Sequence, residues 1–369
     1  MKVLISGGGT GGHIYPGLAI ARGLEEEFDD LEIIFVGTKQ GLEADIVPKA
    51  GYDLKTISVQ GLPRKLSLKL FKSILKTGVG LIEARRIVKN FKPDIVIGTG
   101  GYVCGPIVLA AALSKVPTLI HEQNAYPGIT NKLLSRFVDR IALSNIDAKK
   151  YFKSKEKTIL TGNPIRPEIL KKDRSEALRD LGLAEDKKVI LVFGGSRGAR
   201  SINQAVIGLY PKIKRSNLQL LHITGKQDFD FVIEKANEMG IKDIERGNIM
   251  IKPYLYNMAA ALAVANLVIS RAGATGLAEI TACGIPAILI PYPYAAENHQ
   301  LHNAQSLEKK GAAKVILDDQ LTTELLNEFI NDLFTDQEEL IEMADASKNL
   351  GQPEAIEKLI NLIKDLLGV

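Results

Sequence analysis

Four glycine-rich turns, each directly behind a short apolar run, constrain this chain more than any other feature. They are Gly7-Gly8-Gly9-Thr10-Gly11-Gly12 after Val3–Ser6, Gly98-Thr99-Gly100-Gly101 after Asp94–Ile97, Gly194-Gly195-Ser196-Arg197-Gly198 after Val189–Phe193, and Arg271-Ala272-Gly273-Ala274-Thr275-Gly276 after Leu267–Ser270. A short apolar run closed by glycine and followed by a helical pattern reads as a strand feeding a helix. Strands that alternate with helices build parallel sheets through right-handed crossovers. Such open sheets bind ligands outside the carboxyl ends of their strands, where all four turns would lie.

The alternation runs the length of the chain in two series. Val3–Ser6, Glu32–Val36, Ile95–Ile97, Thr118–Ile120 and Arg140–Leu143 read as strands of the first. Val189–Phe193, Gln219–Ile223, Ile249–Ile251, Leu267–Ile269, Ala287–Ile290 and Ala313–Ile316 read as strands of the second. Between them, Thr161–Pro167 carries two prolines and reads as a linker and hinge. The length of 369 residues fits two domains. The expected division is 1–163, joined by a C-terminal amphipathic helix in 352–369, and 164–351. The fold class expected is α/β, two Rossmann-like doubly wound parallel-sheet domains.

Cys104 and Cys283 sit apart, without a C-x-x-C partner, so a reducing compartment is expected. Met1–Ser6 already reads as a strand, so no leader peptide is expected. The longest uncharged stretches are broken by Gly and Pro and fall short of the roughly 20 apolar residues that a spanning helix needs.

In the first turn, Gly7, Gly9 and Gly12 fit G-x-G-x-x-G, a weak indication of a dinucleotide. The second strand ends Phe35-Val36-Gly37-Thr38 with no acid at its tip to hold a ribose, and His13 stands at the start of the following helix. An imidazole beside an anion site suits general-base work near neutral pH. His121-Glu122-Gln123-Asn124 and Glu297-Asn298-His299-Gln300 follow two further strands. Their amides and carboxylates suit hydroxyl-rich ligands. The five histidines lack metal-ligand spacing, and no Walker A pattern occurs.

Taken together, the strings GGGTGGHIYPGLA, GTGGYVCGP, HEQNAYPGITNK, TGNPIR, FGGSRGA, SRAGATGLAEITACGIPAILIPYP and ENHQLHNA resemble the MurG family, in the family's order and over nearly the whole chain. The resemblance implies a GT-B architecture, two Rossmann-like domains facing across a cleft. It also implies an inverting transfer of GlcNAc from UDP-GlcNAc to the muramyl 4-hydroxyl of an undecaprenyl-pyrophosphoryl-MurNAc-pentapeptide. No cofactor, metal or nucleic-acid partner is expected.

Carried over by motif, Glu279 would hold the ribose. Ala274, Thr275, Gly276, Leu277 and Ala278 would meet the diphosphate, which Ser196 and Arg166 would approach. The Leu255 backbone would read uracil. Gln300 and Asn124 would contact the sugar, and Thr10, Gly11 and Gly12 would lie near the donor sugar or the acceptor diphosphate. Tyr102 would shape the acceptor pocket. His13, ahead of Glu122, is the candidate base. Gly276 stands where the family often has a hydroxyl residue, and Arg197 where it often has Gln, which leaves the phosphate contacts open.

One segment is strongly basic. Between Leu62 and Lys92 nine Lys or Arg face one acid, Glu83, and Leu70, Phe71, Ile74, Leu75, Val79 and Ile82 share a helical face. That face alone fits a core-facing helix. The lysine density favours docking on the anionic cytoplasmic face of the membrane, as a peripheral protein. Rival readings are a UDP-GlcNAc 2-epimerase on the same plan, an NAD(P)-dependent oxidoreductase, and a non-catalytic nucleotide-sugar binder.

Overall fold

The apolar runs assemble into two separate, wholly parallel sheets. The first comprises β1 (Lys2–Gly7), β2 (Glu32–Gly37), β3 (Asp53–Thr56), β4 (Ile95–Gly100), β5 (Thr118–Glu122), β6 (Arg140–Leu143) and β7 (Thr158–Leu160), in the order β3-β2-β1-β4-β5-β6-β7. The second comprises β8 (Lys188–Phe193), β9 (Leu218–Ile223), β10 (Ile249–Lys252), β11 (Leu267–Ser270), β12 (Ala287–Leu289) and β13 (Ala313–Val315), in the order β10-β9-β8-β11-β12-β13. In each, the winding direction reverses beside the first strand, between β1 and β4 and between β8 and β11. That reversal opens a crevice at the strand ends, and the four glycine turns leave these four strands. The structure, a computed structural model, describes residues 1–60, 68–195, 198–241, 243–244 and 247–369, with backbone alone for 68–77.

The chain divides into a first unit, Met1–Ile165 with Glu354–Val369, and a second, Arg166–Pro353. Helices of the first unit used below are α1 (Gly11–Glu27), α2 (Glu43–Lys49), α3 (Leu68–Phe91), α4 (Cys104–Leu113) and α5 (Ile129–Leu134).

The central strands are apolar because both faces of the sheet are covered there. Successive side chains point to opposite faces. Val3 and Ile5 pack with Ile14 and Leu18 of α1 and Leu359 and Ile363 of the helix Ala355–Leu367. Leu4 packs instead with Val88 of α3 and Ile107 of α4. The second sheet repeats the pattern, Val189 and Leu191 on one face and Ile190 and Val192 on the other. Each fully buried side chain of this size contributes about 1.5–3 kcal/mol relative to exposure.

The C-terminal helix seats against α1 where Gly23 lacks a side chain: a Cβ there would lie 2.7 Å from Ile356. Among the described residues, no helix is long and apolar enough to cross a membrane.

Candidate active site

The first unit's site starts from an uncapped helix. Thr10 holds the N-cap position of α1 in extended backbone, yet its side chain makes no cap hydrogen bond. Its hydroxyl lies 3.3 Å from His13 Nδ1 instead. The amides of the first turn, Gly11 and Gly12, have no intrahelical acceptor by construction, so they present N–H groups and the positive end of the helix dipole.

His13 is held from two directions. Its Nδ1 lies 3.0 Å from the Gly8 carbonyl, which only accepts, so Nδ1 carries the proton and donates it there. Nε2 is left as the basic nitrogen of the neutral ring. The backbone carbonyl of His13 accepts from the Thr99 hydroxyl at 2.7 Å, which ties α1 to the end of β4. The ring lies against Gly100, whose φ of +108° suits glycine. Burial lowers the His13 pKa, opposed by the Gly8 hydrogen bond and the charge of Glu43. Tyr102 stands nearby, its ring 3.7 Å from where a Gly9 Cβ would be.

Glu43 was not foreseen. No acid stands at the tip of β2, but one reaches the same place from the start of α2. Its fully buried carboxylate accepts from Gly9 N at 3.0 Å, Thr38 N at 2.9 Å and the Thr38 hydroxyl at 2.7 Å. Burial pushes its pKa up, but these donors outweigh it and the net shift is downward, so it is ionised. The amide of Gly9, the second glycine of the G-x-G-x-x-G match, is therefore already engaged.

Glu122, the second candidate base, is closely held by hydrogen bonds. Its carboxylate accepts from Asn124 N at 3.0 Å, Asn124 Nδ2 at 3.1 Å, Gly128 N at 3.1 Å and Asn131 Nδ2 at 2.8 Å. Four donors fill its lone pairs, and the group is buried. Burial raises its pKa while the four N–H groups oppose the rise. It organises the loop from β5 to α5. Asn124 is held by the same network.

Beside it, His121 is fully buried, with Nε2 3.0 Å from the Gly162 carbonyl and Nδ1 accepting from Gln123 Nε2 at 3.0 Å. Burial depresses its pKa to about 4, so it stays neutral. Gln123 also donates to the Thr99 carbonyl at 2.8 Å, linking this network to the β4 turn.

In the second unit, the helix Ala274–Ala282 begins at Gly273 without a side-chain cap. Its first turn again offers open amides, and the buried Thr275 Oγ1 has no partner among the described residues. Glu279 lies one turn further and is buried; Arg166 Nε donates to its Oε1 at 3.1 Å. Burial raises the Glu279 pKa and Arg166 opposes the rise. Arg166, expected at the phosphates, is thus committed through Nε to the ribose candidate.

Gln300 accepts from Tyr292 N at 3.0 Å through Oε1, which aims its Nε2 donors away from that contact. It follows Glu297 and Asn298, both at positive φ, +53° and +54°. Two such residues in a row are strained and accumulate at functional sites. The backbone N–H and carbonyl of Leu255 have no hydrogen-bond partner among the described residues.

A brace not foreseen holds this edge together. Arg271 contacts Asp318, the Ile290 carbonyl at 3.1 Å and the Ser201 hydroxyl at 3.0 Å. Ser196 lies outside the described residues, as do Arg64, Lys65 and Arg197.

Comparison with known proteins agrees with this architecture. Residues 3–143 match the glycosyltransferase family 28 N-terminal domain and 189–359 its C-terminal domain. A protein of Desulforamulus reducens is 52% identical over 100% of this chain and 99% of its own length. One of Halothermothrix orenii is 55% identical over 99% of each. Both are named UDP-N-acetylglucosamine--N-acetylmuramyl-(pentapeptide) pyrophosphoryl-undecaprenol N-acetylglucosamine transferase. The crystal structure of Acinetobacter baumannii MurG superposes with a TM-score of 0.79 at 30% identity, covering 99% of each chain. The S. aureus MnaA–UDP co-structure, at 18% identity and a TM-score of 0.68 over 100% of this chain and 97% of that one, shares the fold alone.

Two doubly wound parallel-sheet units with open helix N-termini at their switch points, matched to these domains, define a GT-B glycosyltransferase. The chain belongs to the MurG family of N-acetylglucosaminyltransferases.

Proposed function

We propose that this protein transfers GlcNAc from UDP-GlcNAc to the 4-hydroxyl of the muramyl residue of undecaprenyl-pyrophosphoryl-MurNAc-pentapeptide, with inversion at the anomeric carbon. The observation that carries the chemistry is the 3.0 Å contact of His13 Nδ1 with the Gly8 carbonyl: a carbonyl only accepts, so the proton sits on Nδ1 and Nε2 is a neutral base beside an open helix N-terminus. It takes the proton of the acceptor hydroxyl as the O4–C1 bond forms. The C1–O bond to the β-phosphate breaks, and UDP leaves with the electron pair. The acceptor diphosphate lies against the amides of Gly11 and Gly12, where an anion is favoured.

The donor belongs to the second unit. Its diphosphate meets the first turn of Ala274–Ala282, where the Thr275 hydroxyl, unpartnered among the described residues, is one donor. Glu279 holds the ribose hydroxyls, the Leu255 backbone pairs with the uracil edge, and Gln300 contacts the sugar. Growing negative charge on UDP is stabilised by preorganised amides.

The acceptor's lipid requires a membrane surface, and we place the protein on the cytoplasmic face of the membrane as a peripheral protein. The basic segment 62–92 supports this, as do its exposed apolar residues Val79 and Ile82. A second apolar patch adds to it: Ile129, Leu133 and Phe137, spaced four apart from the start of α5, are all more than half exposed. Such side chains enter the interfacial region while Lys132 and Arg136 meet anionic headgroups.

The test is incubation with labelled UDP-GlcNAc and a short-chain lipid-pyrophosphoryl muramyl-pentapeptide. Label on the lipid is the expected result. Free epimer would mean an epimerase, and unchanged donor a binder only. If Lys69, Lys72 and Lys76 reversed in charge leave liposome binding unchanged at low salt, the membrane reading of 62–92 fails.

A further inference from the structure

The first glycine turn contains an anion of its own. The Glu43 carboxylate sits in a cradle made by three glycines. A Cβ at Gly8 would lie 2.6 Å from its carboxylate carbon, and Cβ atoms at Gly37 and Gly41 would collide with its side chain. Its donors, Gly9 N, Thr38 N and the Thr38 hydroxyl, come from the β1 and β2 ends. Three positions that cannot carry a side chain, around one fully buried acid, describe a built socket rather than an incidental contact.

We infer that Glu43 is a positioning residue for the transfer reaction: it fills the nest of the Gly8–Gly9 turn, fixes the Gly8 carbonyl that orients His13, and leaves the Gly11 and Gly12 amides open to the acceptor diphosphate. The inference rests on the reading that His13 is the base and that the first unit takes the acceptor.

The chain of contacts is continuous. Glu43 holds Gly9 N, the adjoining Gly8 carbonyl accepts from His13 Nδ1, and Gly8 N donates to the Gly100 carbonyl at 3.3 Å. A shift of the Gly8–Gly9 peptide would rotate the ring or swap its tautomer, placing the proton on Nε2 and removing the base. Glu43 also acts by charge. Among the described residues it is the one ionised group that bears on His13, and it favours the protonated ring. The other groups around the ring are the Thr10 hydroxyl, the Thr99 hydroxyl on its backbone carbonyl, and Tyr102 beyond Gly9. The socket also argues against a dinucleotide at this turn, since a pyrophosphate would compete with a carboxylate that cannot leave without stranding its three donors.

The test compares Glu43→Gln with Glu43→Asp and Thr38→Val, each as full-length protein. Glu43→Gln keeps the shape, removes the charge and turns an amide NH2 toward Gly9 N. Its kcat/KM for the acceptor is expected to fall at least about tenfold, the loss of one charge-assisted hydrogen bond. With the charge gone the protonated imidazole is less favoured, so the acid limb of its pH profile is expected to move to lower pH. Thr38→Val and Glu43→Asp retain the charge; they are expected to lower the melting temperature while leaving that limb in place.

UDP binding, measured by calorimetry, belongs to the second unit and is expected to be unchanged in all three, which reports a folded protein. If Glu43→Gln leaves the acid limb where it is, or if Thr38→Val moves it equally, Glu43 is structural and the inference is overturned. If the wild type itself transfers no label to the lipid, the functional reading fails instead, and the two outcomes are distinct.

Discussion

Gly100→Ala tests the base without touching it. The added Cβ would lie 2.7 Å from His13 Cδ2 and 3.0 Å from Nε2. The shorter distance is about 0.7 Å less than the 3.4 Å at which ordinary contact begins, so the imidazole must retreat by that amount. A misplacement of about 1 Å at a reacting group costs roughly a hundredfold, so kcat is expected to fall between about tenfold and a hundredfold. The φ of +108° adds about 1–3 kcal/mol of backbone strain, which lowers the melting temperature by several degrees. Donor affinity is expected to hold, because the proposed nucleotide contacts lie in the second unit.

The assay is single-turnover transfer to a short-chain acceptor, with UDP calorimetry on the same preparation. Repeating it in a His13→Ala background completes a double-mutant cycle. With the ring removed there is nothing for the Cβ to displace, so Gly100→Ala is expected to have little further effect on kcat there. A full additional loss in that background, or an unaltered kcat with a lowered melting temperature, would refute the assignment of Nε2 as the base.

Three other outcomes follow from the geometry. Glu122→Gln replaces one of two oxygens that together accept from four N–H groups; stranding one or two donors costs roughly 1–5 kcal/mol. Thermal denaturation should therefore fall more than kcat per folded molecule, and the reverse result would restore Glu122 as the base. Gly276→Ser has room, since a Cβ there meets only the Phe193 ring at 3.8 Å. The new hydroxyl beside Thr275 should tighten UDP severalfold, and an unchanged Kd would place the phosphates elsewhere. Finally, His121 titrates at about 4 when folded and near 6.5 when unfolded, so the unfolded chain binds more protons between those values. Stability is then full above about pH 6.5 and lost as the pH falls toward 4, by roughly 3 kcal/mol. Urea denaturation across that window should show the slope, and His121→Gln should flatten it.

Much of the fold was legible because buried strands have nowhere to place polar side chains. Strands covered on both faces stood out as apolar runs, and β1, β4 and β8 are closed by glycine as well. The two that escaped notice, Asp53–Thr56 and Thr158–Leu160, are the edges of the first sheet. Asp53 and Lys55 there are solvated, which blunts the edge and erases the hydrophobic pattern.

The site was legible where one local motif makes it, as at Gly7–His13 and Ala274–Glu279. It was not where the partner is remote in sequence. Glu43 reaches Gly9 across 34 positions, and Arg166 reaches Glu279 across 113. No spacing rule reports such pairs. The setting of Glu122 is hidden for a related reason: Asn131, which donates to its carboxylate, lies on the next helix.

The most direct test of the account is the structure of the product. Wild-type protein, UDP-GlcNAc and the lipid-linked muramyl acceptor should yield a disaccharide whose new linkage, read by the anomeric proton coupling in NMR, is β(1→4). An α linkage, or GlcNAc released to water with the acceptor untouched, would contradict inverting transfer driven by a base on the acceptor side.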